Sequence, residues 1–284
     1  MHGCRFILFV KKMVIVIMNI AAVMTIEALA ATVSDLTPVL QKAQADLSAT
    51  LTAIDKDLTD VAKKLATIDR KSDEARKILS AVCKNRAYVY DCAILDMNGK
   101  LSLMEPKNAR KYEGADVSSE AHVKELFKTK APLVSMVFKA LDGLNYIDFE
   151  YPIITDKGEC VGAVSLLVMH AKLLEGVIAP LVKDKPCKIW VMQADGLCIY
   201  DQDPAQVNKN IFTDPIFQSF TDLIFLAKTV AKEPNGTGSY EFYKKDLEDK
   251  TAVKKDAVWD TVKMPANEWR IVTVEIKEHQ PVSK

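Results

Sequence analysis

The chain has 284 residues, with 38 Lys+Arg balancing 38 Asp+Glu, 49% apolar and 27% charged residues, 10 Gly and 11 Pro. This composition excludes disordered and collagen-like chains, and at roughly 150 residues per domain the length suits two domains. A formal charge of zero offers no basic footprint for phosphate, so nucleic acid is not expected as a partner.

Lys11 and Lys12 precede an apolar run from Met13 to Ile26, and Ala28-Leu29-Ala30 puts small residues at the two positions a signal peptidase reads. Residues 1–30 are therefore expected to be a signal peptide cleaved after Ala30. The alternative is an uncleaved N-terminal anchor, although fourteen residues fall short of the ~20 that span hydrocarbon. Cleavage removes Arg5, Lys11, Lys12 and Glu27 and leaves 35 bases against 37 acids, a mildly acidic chain. The expected location is periplasmic or extracellular, or the inner membrane if the anchor is retained. Cys83, Cys92, Cys160, Cys187 and Cys198 remain, without CxxC spacing. They read as small apolar residues packed in strands, with a Cys92–Cys160 disulfide open if those strands are neighbours.

From Ser34 the pattern turns helical, and from Leu47 to Ile68 the apolar spacing alternates four and three, a heptad seam through Leu51, Leu58 and Leu65. No Pro or Gly interrupts residues 39–87, so one helix of about 45 residues, roughly 65–70 Å long, is expected. A helix of that length packs along two stacked domains or pairs with a second copy of itself.

After Cys83 the period becomes strand-like. Tyr88 to Leu95, the turn Asp96-Met97-Asn98-Gly99 and Lys100 to Met104 predict a hairpin. Ser118 or Ser119 is expected to cap a short helix ending near Lys128. Strands follow over Leu133–Lys139, Asn145–Ile154 and Glu159–Val168, then a linking helix over Met169–Val182. The layout then repeats: Lys188–Gln193, the turn Ala194-Asp195-Gly196, Leu197–Tyr200, a helix over Pro215–Lys232, and strands Gly238–Tyr243, Ala257–Lys263 and Trp269–Ile276. Gly99 and Gly196 align at an offset of 97 residues, and the repeat is one of element order more than of residue identity. The fold class expected is α+β, a long N-terminal helix followed by two PAS-like modules, each a mainly antiparallel sheet flanked by helices.

These residues carry a family likeness. The stretch from Ala93-Ile94-Leu95-Asp96-Met97-Asn98-Gly99 through Tyr112-Glu113-Gly114, Pro132-Leu133-Val134-Ser135, Tyr151-Pro152-Ile153 and Gly158-Glu159-Cys160-Val161-Gly162 resembles the membrane-distal half of a double Cache domain. Asp195-Gly196, Tyr200-Asp201, Gly236-Thr237-Gly238-Ser239-Tyr240, Trp259 and Trp269-Arg270-Ile271-Val272 resemble its membrane-proximal half. The resemblance implies a long helix over 31–86, a distal module over 87–168, a linking helix over 169–186, a proximal module over 187–278 and a tail over 279–284. It also implies an extracytoplasmic sensor of small molecules. Members normally continue into a second membrane span and an output domain. Because the sequence stops at Lys284, a partner protein, naturally a membrane sensor, is expected to read the message, and a homodimer through the long helix is a second partner expectation.

In the family's fold one sheet face packs on the long helix and the other lines the pocket. Alternation along Asn145–Ile153 puts Ile147, Phe149, Tyr151 and Ile153 on the helix side and Tyr146, Asp148 and Glu150 on the other. Asp148 is the expected partner for a ligand amine and Tyr146 a stacking or hydrogen-bonding neighbour, with Ser135, Tyr112 and His122 behind them. The alternative is that Asp148 and Glu150 are ordinary solvated strand positions. Amino-acid-binding members place an arginine near the start of the short helix, where this chain reads Ser119-Glu120-Ala121-His122-Val123. The expected ligand is a small polar metabolite, an amine, amino acid or carboxylate. No metal motif, GxSxG, HExxH or P-loop occurs, so neither a cofactor nor an enzymatic activity is expected. The competing reading is an interaction or dimerisation module with a vestigial pocket.

Overall fold

The computed structural model describes residues 35–84, 86–245 and 249–275. The expected signal peptide and the tail over 279–284 lie outside them. Helix α1 runs over 35–65 and α2 over Asp73–Cys83. The single 45-residue helix expected from the sequence is therefore two helices, and the break is built without Pro or Gly. Thr67 Oγ1 donates to the Lys64 carbonyl, the Asp69 carboxylate accepts from the Lys71 N–H, and Ser72 caps α2 by accepting from the Ala75 N–H at 3.1 Å. Such short polar side chains offer the backbone partners that compete with helix continuation.

The distal module contains β1 (Val89–Leu95), β2 (Leu101–Glu105), α3 (Ala121–Thr129), β3 (Leu133–Val134), β4 (Phe138–Lys139), β5 (Asn145–Ile154) and β6 (Cys160–Val168). Its antiparallel sheet has the order β2-β1-β6-β5-β3, with β4 on the free end of β5. Helix α4 (His170–Val182) leads to the proximal module: β7 (Cys187–Gln193), β8 (Cys198–Tyr200), α5 (Thr221–Lys232), β9 (Gly236–Lys245), β10 (Asp249–Met264) and β11 (Asn267–Glu275). That sheet has the order β8-β7-β11-β10-β9, the same path as the first. The expected repeat of element order is present, and Gly99 and Gly196 occupy equivalent hairpin turns with φ of +73° and +89°.

Several local expectations need correction. The helix expected over Pro215–Lys232 is a 3-10 turn over Pro215–Phe217 followed by α5 from Thr221. The first helix turn of α3 begins after Glu120 without a side-chain cap, so neither Ser118 nor Ser119 has that role. The expected strand Leu133–Lys139 is two separate two-residue strands. Cys92 lies opposite Leu166, well away from Cys160 along β6, and all five described cysteines are free.

One hydrophobic core lies under both sheets. Leu47, Ile54, Leu58 and Leu65 of α1 and Leu79 of α2 pack with Ile147, Phe149 and Ile153 of β5 and with Ile189, Val191, Trp269 and Ile271 of the proximal sheet. The heptad seam is thus consumed inside the chain, and Tyr151 reaches the same helix, donating to Asp55 at 2.5 Å. Direct bonds also join the modules: Val134 N–H donates to the Pro265 carbonyl at 2.9 Å and Asn267 to the Ser135 carbonyl at 3.1 Å. Where β6 crosses β1, Gly162 sits at φ +150°, and a Cβ there would lie 2.4 Å from the Leu95 carbonyl oxygen. Gly162→Ala is expected to destabilise the protein by about 2–3 kcal/mol, since the backbone has to shift. An unchanged melting temperature would refute that packing.

Candidate functional site

The outer face of each sheet carries its own smaller core. On the proximal sheet Trp190, Phe217, Phe220, Tyr240, Phe242 and Trp259 fill it, leaving a cavity of only about 20 Å³. On the distal sheet the corresponding cluster is small, built on Ala93, Leu95, Leu101, Met104, Val123 and Leu126. Above it, between β1, β5 and β6, α3 and the β4–β5 loop, a cavity of about 170 Å³ remains open. Small side chains such as Ala93 and Ser165 on the sheet leave this room, whereas the bulky aromatics opposite close it.

The sheet register gathers acids beneath the cavity. Leu167 of β6 lies opposite Asp91 of β1 on one side and Asp148 of β5 on the other. Two residues along, Ser165 lies opposite Glu150. Because alternate side chains share a face, all four polar groups point to the pocket side. Asp148 is 6% exposed, Asp91 5% and Glu150 0%. The Ser165 hydroxyl lies 2.7 Å from both Asp148 carboxylate oxygens, and the Asp148 N–H donates to Ser135 Oγ at 2.8 Å. Burial pushes the Asp91 carboxyl up to about 8, helped by the neighbouring Asp148 and Asp142. It pushes Asp148 up to about 7, with Glu150 adding to the rise and His122 and Ser165 opposing it.

His122, from the first turn of α3, hangs over these acids. Its Nδ1 lies 3.1 Å from Glu150 Oε1, and its ring stacks at 4.3 Å on Phe138. Burial holds the imidazole down, but Glu150, Asp148 and Glu120 outweigh it, so its pKa is raised. The contact with Glu150 is close without being aligned as a hydrogen bond: both Glu150 oxygens and both imidazole nitrogens lack a hydrogen-bond partner. Outside the cavity, Tyr146 donates to the lining Asp142 at 2.8 Å and stacks on the lining Tyr90 at 4.7 Å, while Tyr112, Glu120 and Lys139 complete the wall. The lining carries five carboxyl groups, from Asp91, Glu120, Asp142, Asp148 and Glu150, against one lysine.

Of the residues singled out in the sequence, Asp148, His122 and Tyr112 line the cavity. Tyr146 does not; it stands at the start of β5, one layer behind Tyr90. Ser135 does not either, being buried in the bonding of β5 to the preceding segment. Nor are Asp148 and Glu150 solvated strand positions. Asp91 and Ser165 escaped sequence reasoning because only the register of β1 and β6 brings them beside Asp148; Glu150 was legible from alternation alone. Among the described residues, no helix is long and apolar enough to cross a membrane.

No curated protein matches the chain. Residues 49–169 match the family described as HK/GC/Chemotaxis protein-like, sensor domain. An extracellular ligand-binding receptor from Desulfohalobium retbaense superposes with a TM-score of 0.71 at 24% identity, over 85% of this chain. The chain spans 40% of that receptor's length. The extracellular domain of a putative histidine kinase gives 0.68 at 16% identity, covering 88% of this chain and 96% of that one. The ligand-binding domain of the Pseudomonas aeruginosa amino-acid chemoreceptor PctC, solved with GABA, gives 0.58 at 16% identity, covering 85% and 98%. Residues 49–169 thus resemble that sensor-domain family, and the chain as a whole shares the α+β, two-module fold of these solved structures.

Proposed function

We propose that the protein is an exported sensor domain whose distal cavity binds a small, positively charged metabolite and whose message is read by a partner protein. The observation that carries this reading is the set of buried carboxylates around an open 170 Å³ cavity, of which Glu150 has neither oxygen hydrogen-bonded. Buried carboxylate oxygens without hydrogen bonds are costly, and an ammonium group supplies the missing donors. A free carboxylate ligand meets the opposite field, in keeping with the absence of an arginine at the start of α3. The similar structures are ligand-binding and sensory domains, which supports a binding site. Against the reading as a dimerisation module stands the burial of Leu51, Leu58 and Leu65 in the chain's own core. N-terminal sequencing of the exported protein separates cleavage at Ala30 from a retained anchor.

A thermal-shift screen of the exported chain against amines, amino acids and dicarboxylates tests the proposal. Amines are expected to raise the melting temperature and dicarboxylates are not, because a ligand that binds only the folded state stabilises it. Asp148→Asn is expected to weaken an amine hit by about 10- to 100-fold, the loss of a hydrogen bond between charged groups. Hits confined to dicarboxylates, or an amine hit unchanged by Asp148→Asn, would sink it.

A further inference from the structure

The inner end of the distal cavity contains a donor set of which an ammonium ligand uses only the carboxylates. One nitrogen or oxygen atom from each of His122, Asp148 and Glu150 falls within 4.8 Å of the others. One pair, His122 Nδ1 and Glu150 Oε1, stands 3.1 Å apart. Donors about 2.0–2.2 Å from one metal ion are separated from each other by roughly 3.2–3.6 Å in a tetrahedral site. The His122–Glu150 pair stands just short of that spacing, and the Asp148 donor lies within 4.8 Å of both. The donors also come from rigid elements: Asp148 and Glu150 from the middle of β5, and His122 from the first turn of α3.

Glu150 supplies the second observation. Its carboxylate is fully buried, lines the cavity and has no hydrogen-bond partner on either oxygen. The two imidazole nitrogens likewise make no aligned hydrogen bond, Nδ1 having only its 3.1 Å contact with Glu150. Folded proteins rarely leave buried polar atoms in that state unless something else satisfies them. A water or an ammonium group can satisfy the carboxylate, but an ammonium group has no acceptor need that an imidazole N–H can meet. A metal ion satisfies an imidazole lone pair and two carboxylates together.

We propose that His122, Asp148 and Glu150 form a site for a divalent first-row transition metal ion, with its remaining coordination positions opening into the cavity. The mixed nitrogen and oxygen donors select the class: calcium and magnesium take oxygen donors, whereas imidazole suits zinc, nickel, copper and iron. Three protein donors leave a position for water or for a ligand's own donor atom. The remaining lining, with Tyr90, Tyr112, Leu101 and Met104, leaves space beside the ion for such a ligand. The inference rests on the distal cavity being the binding site, as proposed above, and names the cation taken at its inner end.

The test is isothermal titration of the chelator-treated, untagged exported chain with Zn²⁺, and separately with Mg²⁺. One zinc per chain is expected, with magnesium at least 100-fold weaker. His122→Ala and Glu150→Gln are each expected to weaken zinc binding at least tenfold, while Glu125→Gln, on the exposed side of α3, leaves it unchanged. No zinc binding, or binding unaffected by both site variants, would overturn the proposal. Should either variant fail to fold, X-ray absorption of the zinc-loaded wild type decides: one imidazole with oxygen donors supports the site, and none or several imidazoles overturns it. The two readings fail separately. An amine hit lost in Asp148→Asn without zinc binding overturns the metal site and leaves the sensor reading standing. Zinc binding lost in the site variants without any amine hit supports the metal site and refutes the amine ligand.

Discussion

At pH 8.5 the ligand-free, metal-free Asp91→Asn protein is expected to be more stable than the wild type by about 3–5 kcal/mol. Asp91 lies under the cavity, 5% exposed, with its carboxyl pushed up to about 8 from an ordinary 3.8 by burial first and by Asp148 and Asp142 second. The folded state therefore holds a proton that the unfolded state has released between pH ~4 and ~8, and stability falls as pH rises through that window. At roughly 1.4 kcal/mol per pKa unit the whole penalty is on the order of 5 kcal/mol, and it is complete above pH 8. Asparagine keeps the shape and never ionises, so the variant escapes the penalty. Near pH 4 the two proteins should be nearly equally stable. His170, held near 4 by burial, loses stability in the opposite direction below pH 6.5, but equally in both proteins. Urea unfolding at the two pH values measures the difference, and a gap independent of pH would show that Asp91 is not held protonated.

The second large effect is expected at Leu58→Ala, with a loss of about 3–4 kcal/mol and no change in oligomeric state. Leu58 is fully buried in the middle of α1, within the core that the helix shares with both sheets. Truncation loses the transfer free energy of the missing carbons and leaves a cavity that a sheet and a helix cannot close by collapsing. Had the seam been an intermolecular coiled coil, the same substitution would shift the monomer–oligomer balance while sparing the monomer's fold. Denaturant unfolding together with sedimentation at several concentrations separates the two: a mass change at constant monomer stability would place Leu58 at an interface.

Most strands were legible as short β-branched or aromatic runs between turn residues, and Asn145–Ile154 has the limits that the sequence implies, whereas Leu133–Lys139 is split in two. Alternation along that strand also placed Asp148 and Glu150 on the pocket side. What the sequence could not reveal depends on contacts between distant segments. The row of Asp91, Leu167 and Asp148 exists only through the register of three strands. The placement of His122 over Glu150 exists only through the docking of α3 on β5. The helix break over 66–72 was missed for a local reason. Thr67, Asp69 and Ser72 end and restart the helix by hydrogen bonding, a weaker signal in sequence than proline or glycine. Tyr146 illustrates the limit of alternation, which gives the face but not the depth: it points the same way as Asp148 and is still screened by Tyr90.

The core beneath the sheets has a thermodynamic consequence. Leu36 and Leu40 near the start of α1, Phe149 and Leu166 in the distal sheet and Trp269 and Ile271 in the proximal sheet belong to a single contiguous cluster. Separating the modules would bare apolar surface on both of them and on the helix at once. The described chain should therefore melt in one calorimetric endotherm, with van't Hoff and calorimetric enthalpies in agreement, despite its two sheets. Free energy released at the distal cavity then raises the unfolding free energy of the proximal sheet as much as that of its own, which makes the two modules one cooperative unit.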